Sequence, residues 1–135
     1  SGDRVDLGSG HEIEFISAPN LHWPDTIFSF DHKTKTLFTC DAFGMHYCSD
    51  DTFDVDLEAI EPDFRFYYDC LMGPNARSLL NAMKKMSELG EIKIIANGHG
   101  PLLYHHLDFL KERYHNWSQV QAKADTTVFR RWLWL

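Results

Sequence analysis

Thr36-Leu37-Phe38-Thr39-Cys40-Asp41-Ala42-Phe43-Gly44-Met45-His46 is the stretch on which the fold turns. Its first four residues read as a strand, and an aspartate then closes the run with small, turn-forming residues after it. A carboxylate there is expensive to bury unless it is paired or metal-bound. It has two oxygens and can bridge two cations, which an imidazole cannot. The competing reading is a helix or turn cap, a position that Asp favours. Two further strings share the form: Leu21-His22-Trp23-Pro24-Asp25 and Asn97-Gly98-His99-Gly100. Each follows an apolar, strand-like run, so that His22, Asp41 and His99 all stand where a strand gives way to a loop. They are far apart in sequence, and only a fold that gathers strand ends brings them together. Two imidazoles and a carboxylate suit a borderline or hard cation such as iron, zinc or manganese.

The histidine strings carry their own local physics. Trp23 precedes Pro24 and is pushed out of the helical region, which stiffens the backbone beside His22. Such preorganisation suits a ligand, and equally a part-buried structural histidine. His99 lies between two glycines, which let a backbone pass close to a site and adopt positive φ; a ligand and an ordinary turn residue both fit. His46, five residues after Asp41, is a candidate to orient a metal ligand from behind, or a plain loop histidine. His11 and His32 fall in polar turns, and His105, His106 and His115 read as the solvated side of the last helix.

Working outward, Arg4 to Leu7 and Glu12 to Ile16 are short strands around Gly8-Ser9-Gly10. Thr26 to Phe30 alternates polar and apolar residues, and with Thr36 to Thr39 it completes a β-meander. Asp54 to Met72 has apolar residues at helical spacing, broken by Met72-Gly73-Pro74-Asn75. Asn75 is the expected N-cap of a helix from Ala76 to Leu89, with Gly90 as its stop. Glu91 to Ala96 is a short strand with Ile92, Ile94 and Ile95. A last helix is expected from near Pro101, with Leu103, Leu107, Leu110, Tyr114 and Trp117 forming one apolar stripe. The order strands, helices, strand, helix gives an α/β (α+β layered) fold, a sheet covered by helices on one face.

With 135 residues, 44% of them hydrophobic, the chain can build one core. Its net charge of -7 argues against nucleic acid, whose phosphates need a basic surface. Arg130 and Arg131 beside Trp132 and Trp134 are far too little to span a bilayer. Cys40, Cys48 and Cys70 form no C-x-x-C and read as small buried thiols, with a redox pair of Cys40 and Cys48 as the alternative.

Taken together, L-H-W-P-D, D-A-F-G-x-H and G-H-G, in this order and spacing, resemble the metallo-β-lactamase-like domain of flavodiiron proteins. The stretch from Cys40 to Asp54 and the segment Tyr67-Tyr68-Asp69-Cys70-Leu71-Met72-Gly73-Pro74-Asn75-Ala76-Arg77 resemble the branch of cyanobacteria and chloroplasts. The likeness runs from about residue 4 to residue 128. It implies an αββα sandwich holding a non-haem diiron centre, followed in the family by a flavodoxin-like FMN domain and, in this branch, a flavin reductase domain. It implies reduction of oxygen to water, or of nitric oxide in some members, as an electron sink in photosynthetic cells. The electrons come through FMN from a nicotinamide or ferredoxin-type donor. By motif position His22 would be a ligand of one iron, Asp41 the bridging carboxylate and His99 a ligand of the other. Two metals about 3.5–4 Å apart clamp both atoms of a diatomic substrate. The family setting is a homo- or hetero-oligomer in the chloroplast stroma or the cyanobacterial cytoplasm.

The departures set further expectations. The family's first ligand motif, H-x-E-x-D-H, is not in this sequence and would lie upstream of Ser1. Residues 1–128 therefore read as the second half of the sandwich with half of the ligand set. The tail 129–135 does not resemble the family, and no FMN site is expected in this chain. Two other classes compete: a metallo-β-lactamase-fold hydrolase with two zinc ions, against which D-A-F-G-M-H argues, and a non-catalytic chain that acts by binding a partner.

Overall fold

The structure is a computed structural model that describes the backbone of residues 2–132 and the side chains of residues 2–125. Five strands form one sheet in the order β1 (Arg4–Asp6), β2 (Glu12–Ser17), β3 (Ile27–Asp31), β4 (Thr36–Cys40), β5 (Ile94–Asn97). The first four pair antiparallel as the expected meander, and β5 joins β4 in parallel. That parallel pair needs a crossover, and the helices between β4 and β5 supply it. They are α1 (Leu57–Tyr67), a π-helical turn (Tyr68–Met72), a 3-10 turn (Gly73–Asn75) and α2 (Ala76–Ser87); α3 (Leu107–Trp132) follows β5.

Strand alternation decides the two faces. Ile16, Phe28, Phe30, Leu37 and Ile95 are buried in one cluster with Ile60, Phe64, Leu79 and Leu110 of the helices. Ile27 and Phe38 lie on the opposite face of the sheet and stay about half exposed. Helices thus cover one face, which is the α/β layering read from the sequence. Each large apolar side chain buried in this way contributes about 1.5–3 kcal/mol. The core also reaches the loops: Phe43 stacks on Tyr114 at 4.5 Å, and Tyr114 on Phe64 at 4.6 Å. The turn that carries Asp41 is thereby clamped to α3 and α1.

Three local expectations need correction. The last helix begins at Leu107, not near Pro101. Residues 101–106 are instead held by tertiary partners: Leu103 bridges Ile95, Leu102 bridges Phe53, and the buried carboxylate of Asp54 accepts the N–H groups of Tyr104, His105 and His106 at 2.7, 2.8 and 2.9 Å. His105 and His106 accordingly precede the helix. Met72 to Asn75 does not break the chain out of helical form, since a π-turn and a 3-10 turn carry it into α2; Asn75 holds the N-cap position without a side-chain hydrogen bond. His11 and His32 lie outside the strands, as expected, and each meets a carboxylate, His11 with Asp31 at 2.8 Å and His32 with Glu14 at 2.7 Å. Finally, Cys40, Cys48 and Cys70 are exposed free thiols rather than buried ones. Cys40 stands at an irregularity in the β4–β5 pairing with φ +52°, and its exposed Sγ lies 3.7 Å from the Ile27 carbonyl. Of the tail 129–135, the side chains and the last three residues lie outside the described part. Among the described residues no helix is long and apolar enough to cross a membrane.

Candidate metal centre

The sheet brings the three strings to one edge. β4 and β5 run parallel, so Asp41 after β4 and His99 after β5 leave at the same end. β3 runs antiparallel to β4, so the β2–β3 connection that carries His22 arrives at that end too. The connection is braced from within. Asn20 N–H donates to the Trp23 carbonyl at 2.8 Å, the Thr26 hydroxyl donates to the same carbonyl at 2.9 Å, and Leu21 is fully buried.

The side chains converge as the strand-end pattern predicts. His22 Nε2 lies 3.3 Å from Asp41 Oδ2, and His99 Nε2 lies 3.2 Å from Asp41 Oδ1. Each imidazole therefore addresses its own oxygen of one carboxylate. The Asp41 side chain is 23% exposed, against 30% for His22 and 50% for His99, so the site opens at the sheet edge. Among the described residues no three His, Cys, Asp or Glu side chains converge on a single point. The arrangement is two donor pairs sharing a carboxylate, not one triad.

The turn after β4 is tightly bonded. Thr39 Oγ1 donates to the Ala42 carbonyl at 2.7 Å, and Gly44 N–H donates to the Asp41 carbonyl at 3.2 Å. Met45 N–H donates to the His99 carbonyl at 3.0 Å, joining the two loops. Gly100 has φ +84°, and a Cβ there would stand 2.5 Å from Met45 Cγ and 2.8 Å from the Met45 carbonyl oxygen. Only glycine lets the His99 loop pass so close to the Asp41 turn.

Two residues near the site escaped the sequence reading. Tyr67, expected only as an apolar position of α1, is 2% exposed, with its hydroxyl 3.3 Å from where a Cβ on Gly44 would lie. Burial, and then the charge of Asp41, raise its pKa to about 12. Its ring centroid is 6.2 Å from that of His99. Asn97, read as a strand end, links the loops of Asp41 and His99 through its side-chain amide. His46 stands edge-on to His99 at 5.6 Å and to Tyr67 at 4.9 Å. These are ring contacts, not the ring-nitrogen hydrogen bond to a ligand that an orienting residue supplies.

Comparison with known proteins gives matches along most of the chain. The family model described as "ODP family beta lactamase" matches residues 1–100. A protein named "Putative diflavin flavoprotein A 2", from Nostoc sp. (strain PCC 7120), is 78% identical over 128 residues, covering 95% of this chain and 22% of that protein. Diflavin flavoprotein A 1 of Synechocystis sp. (strain PCC 6803) is 65% identical over the same length, again covering 22% of the relative. The metal-soaked flavodiiron core from Synechocystis sp. PCC6803 superposes with a TM-score of 0.85 at 35% identity, over 88% of this chain and 29% of that one. The chain thus spans about a fifth of the length of the curated relatives it matches.

Proposed function

Because the chain belongs to the ODP family β-lactamase, we propose that it supplies one half of a dinuclear iron site in a flavodiiron oxidoreductase. The carrying observation is the shared carboxylate, with His22 on one oxygen of Asp41 and His99 on the other. The donors fit the group: imidazole nitrogen and carboxylate oxygen suit iron, and one carboxylate can face two cations. In this reading His22 belongs to one iron, His99 to the other, and Asp41 to both. When bound, the two irons would supply redox chemistry at the diatomic substrate, passing on electrons delivered through FMN to reduce oxygen to water or, in some members, nitric oxide.

The chain's own residues do the rest. The bonded turn and Gly100 hold Asp41 against His99, so that the donors are oriented before any cation arrives. Tyr67 keeps its phenolic proton across the physiological range, chiefly because burial disfavours the phenolate. It thus remains a neutral hydrogen-bond donor beside the site. Phe43, stacked on Tyr114, keeps water from the inner side of the turn. The remaining ligands would come from a segment carrying H-x-E-x-D-H, and FMN would be held by a flavodoxin-like domain of the kind the family carries. The working protein is an oligomer in a cyanobacterial cytoplasm or a chloroplast stroma, where it drains electrons from a nicotinamide or ferredoxin-type donor.

An oxygen-electrode assay tests this reading. The iron-loaded chain is measured alone and with a separately expressed segment of a diflavin flavoprotein carrying H-x-E-x-D-H, reduced FMN being supplied. Oxygen uptake is expected only for the combination, and Asp41→Asn should abolish it. Uptake that is indifferent to Asp41→Asn would refute the assignment.

A further inference from the structure

Asp41 and His99 sit on loops from different strands, and one side chain ties those loops together. Asn97, the last residue of β5, donates from Nδ2 to the Phe43 carbonyl at 2.9 Å and to the Pro101 carbonyl at 3.1 Å. Phe43 lies two residues after Asp41, and Pro101 two after His99. Backbone bonds run alongside: Gly98 N–H donates to the Cys40 carbonyl at 2.5 Å, and Met45 N–H to the His99 carbonyl at 3.0 Å. The strap lies close to the carboxylate, since a Cβ on Gly98 would stand 3.6 Å from Asp41 Oδ1.

The amide's orientation is dictated by its surroundings. Two carbonyl oxygens converge on it, and only a nitrogen bearing two hydrogens satisfies both. A flipped amide would aim its own oxygen at two acceptors. The consequence is visible on the other side: Asn97 Oδ1 is buried without a hydrogen-bond partner among the described residues. An unpaired buried acceptor is destabilising. A leucine of similar volume would leave no such atom, so a strand end that served packing alone would do better without the amide. The donor pair, not the packing, accounts for an asparagine here.

We propose that Asn97 is the positioning residue that fixes His99 against Asp41, holding one donor pair of the site in register while leaving His22 to its own loop. The proposal deepens the dinuclear reading and rests on it for its meaning, although its geometry can be tested without metal. The hydrogen bonds of Asn97 go to neither the imidazoles nor the carboxylate; it acts through the Phe43 and Pro101 carbonyls.

The test uses Asn97→Leu, with Asn97→Ser as a smaller second variant, in Co2+ titrations followed by the paramagnetic shifts of histidine ring protons. Loss of a residue that supports a ligand costs 10–100-fold in affinity as a rule, and about that loss is expected here. The loss should persist in a His22→Ala background and vanish in a His99→Ala background. Equal losses in both backgrounds would overturn the proposal, since a purely structural role weakens the whole fold alike. A metal-free comparison runs beside it: the ring 1H–15N signals of His99 should move in Asn97→Leu and those of His22 should not. Equal movement, or none, would overturn the proposal. If the parent chain takes up no Co2+, the dinuclear reading fails and the metal-free comparison alone decides the role of Asn97. If both variants fail to fold, the parent chain decides: slow exchange of both Asn97 Nδ2 hydrogens is expected, and fast exchange would overturn the proposal.

Discussion

Asp54→Ala is the substitution whose cost the structure allows to be worked out most fully. The Asp54 carboxylate is fully buried and accepts three backbone N–H groups, those of Tyr104 and His105 on Oδ1 and that of His106 on Oδ2. The three amides lie just ahead of α3, where donors have no helical partner. Hydrogen bonds to a charged acceptor contribute about 1.5–3 kcal/mol each, which bounds the loss from above. Water reaching the amides of the exposed residues Tyr104 and His105 after truncation recovers part of it, leaving about 4 kcal/mol. Asp54→Asn keeps one acceptor oxygen and sets an N–H group against an N–H group, so about 2 kcal/mol is expected. Urea unfolding checks both values, with the midpoint falling and the slope unchanged because the surface exposed on unfolding stays the same. A loss below about 1 kcal/mol for Asp54→Ala would refute the reasoning, since even one cap costs that much.

Three further outcomes are expected. Gly100→Ala combines a left-handed φ with a Cβ 2.8 Å from the Met45 carbonyl oxygen; it should cost about 2 kcal/mol in urea unfolding, in the range of a strained backbone residue, and should weaken Co2+ binding in parallel. Burial works against the charged form of Asp31, but hydrogen bonds from His11, Thr34 and the Lys33 N–H, with the attraction of His11, outweigh it and hold the pKa at about 2 against an ordinary 3.8. A depressed carboxylate stabilises the fold fully above its unfolded value, and that stability is lost as pH falls from 3.8 toward 2; the urea midpoint of Asp31→Asn should therefore vary less with pH across that window than that of the parent. The chain should retain no stoichiometric FMN through gel filtration, because the region after Val128 lacks the glycine- or hydroxyl-rich loop opening a helix that binds phosphate.

What the sequence disclosed and what it hid follow from the range of the interactions involved. The convergence of His22, Asp41 and His99 was legible in part, because Asp41 and His99 follow strand runs whose parallel pairing carries their ends to one edge, whereas His22 reaches that edge from within the β2–β3 connection. The core face of β3 was legible in the alternation from Thr26 to Phe30, which buries Phe28 and Phe30. The start of α3 was not. Pro101 is a fair local signal, but the residues after it are claimed by Ile95, Phe53 and Asp54, the last about fifty positions upstream. Tyr67 and Asn97 were invisible for the same reason, since a phenol under a glycine and an amide between two carbonyls exist only once distant loops meet. Cys40 was misread because the burial habit of free cysteine is an average, whereas the irregular pairing at the end of β4 is particular.

The claim at the centre is that one carboxylate serves two cations, each with its own imidazole. A Co2+ titration of the chain, followed by the ring-proton signals of His22 and His99, addresses it most directly. Two Co2+ per chain at saturation are expected, bound weakly, with both histidines shifted paramagnetically and both shifts lost in Asp41→Asn. A single Co2+ that shifts only one histidine, or binding that survives Asp41→Asn unchanged, would contradict it.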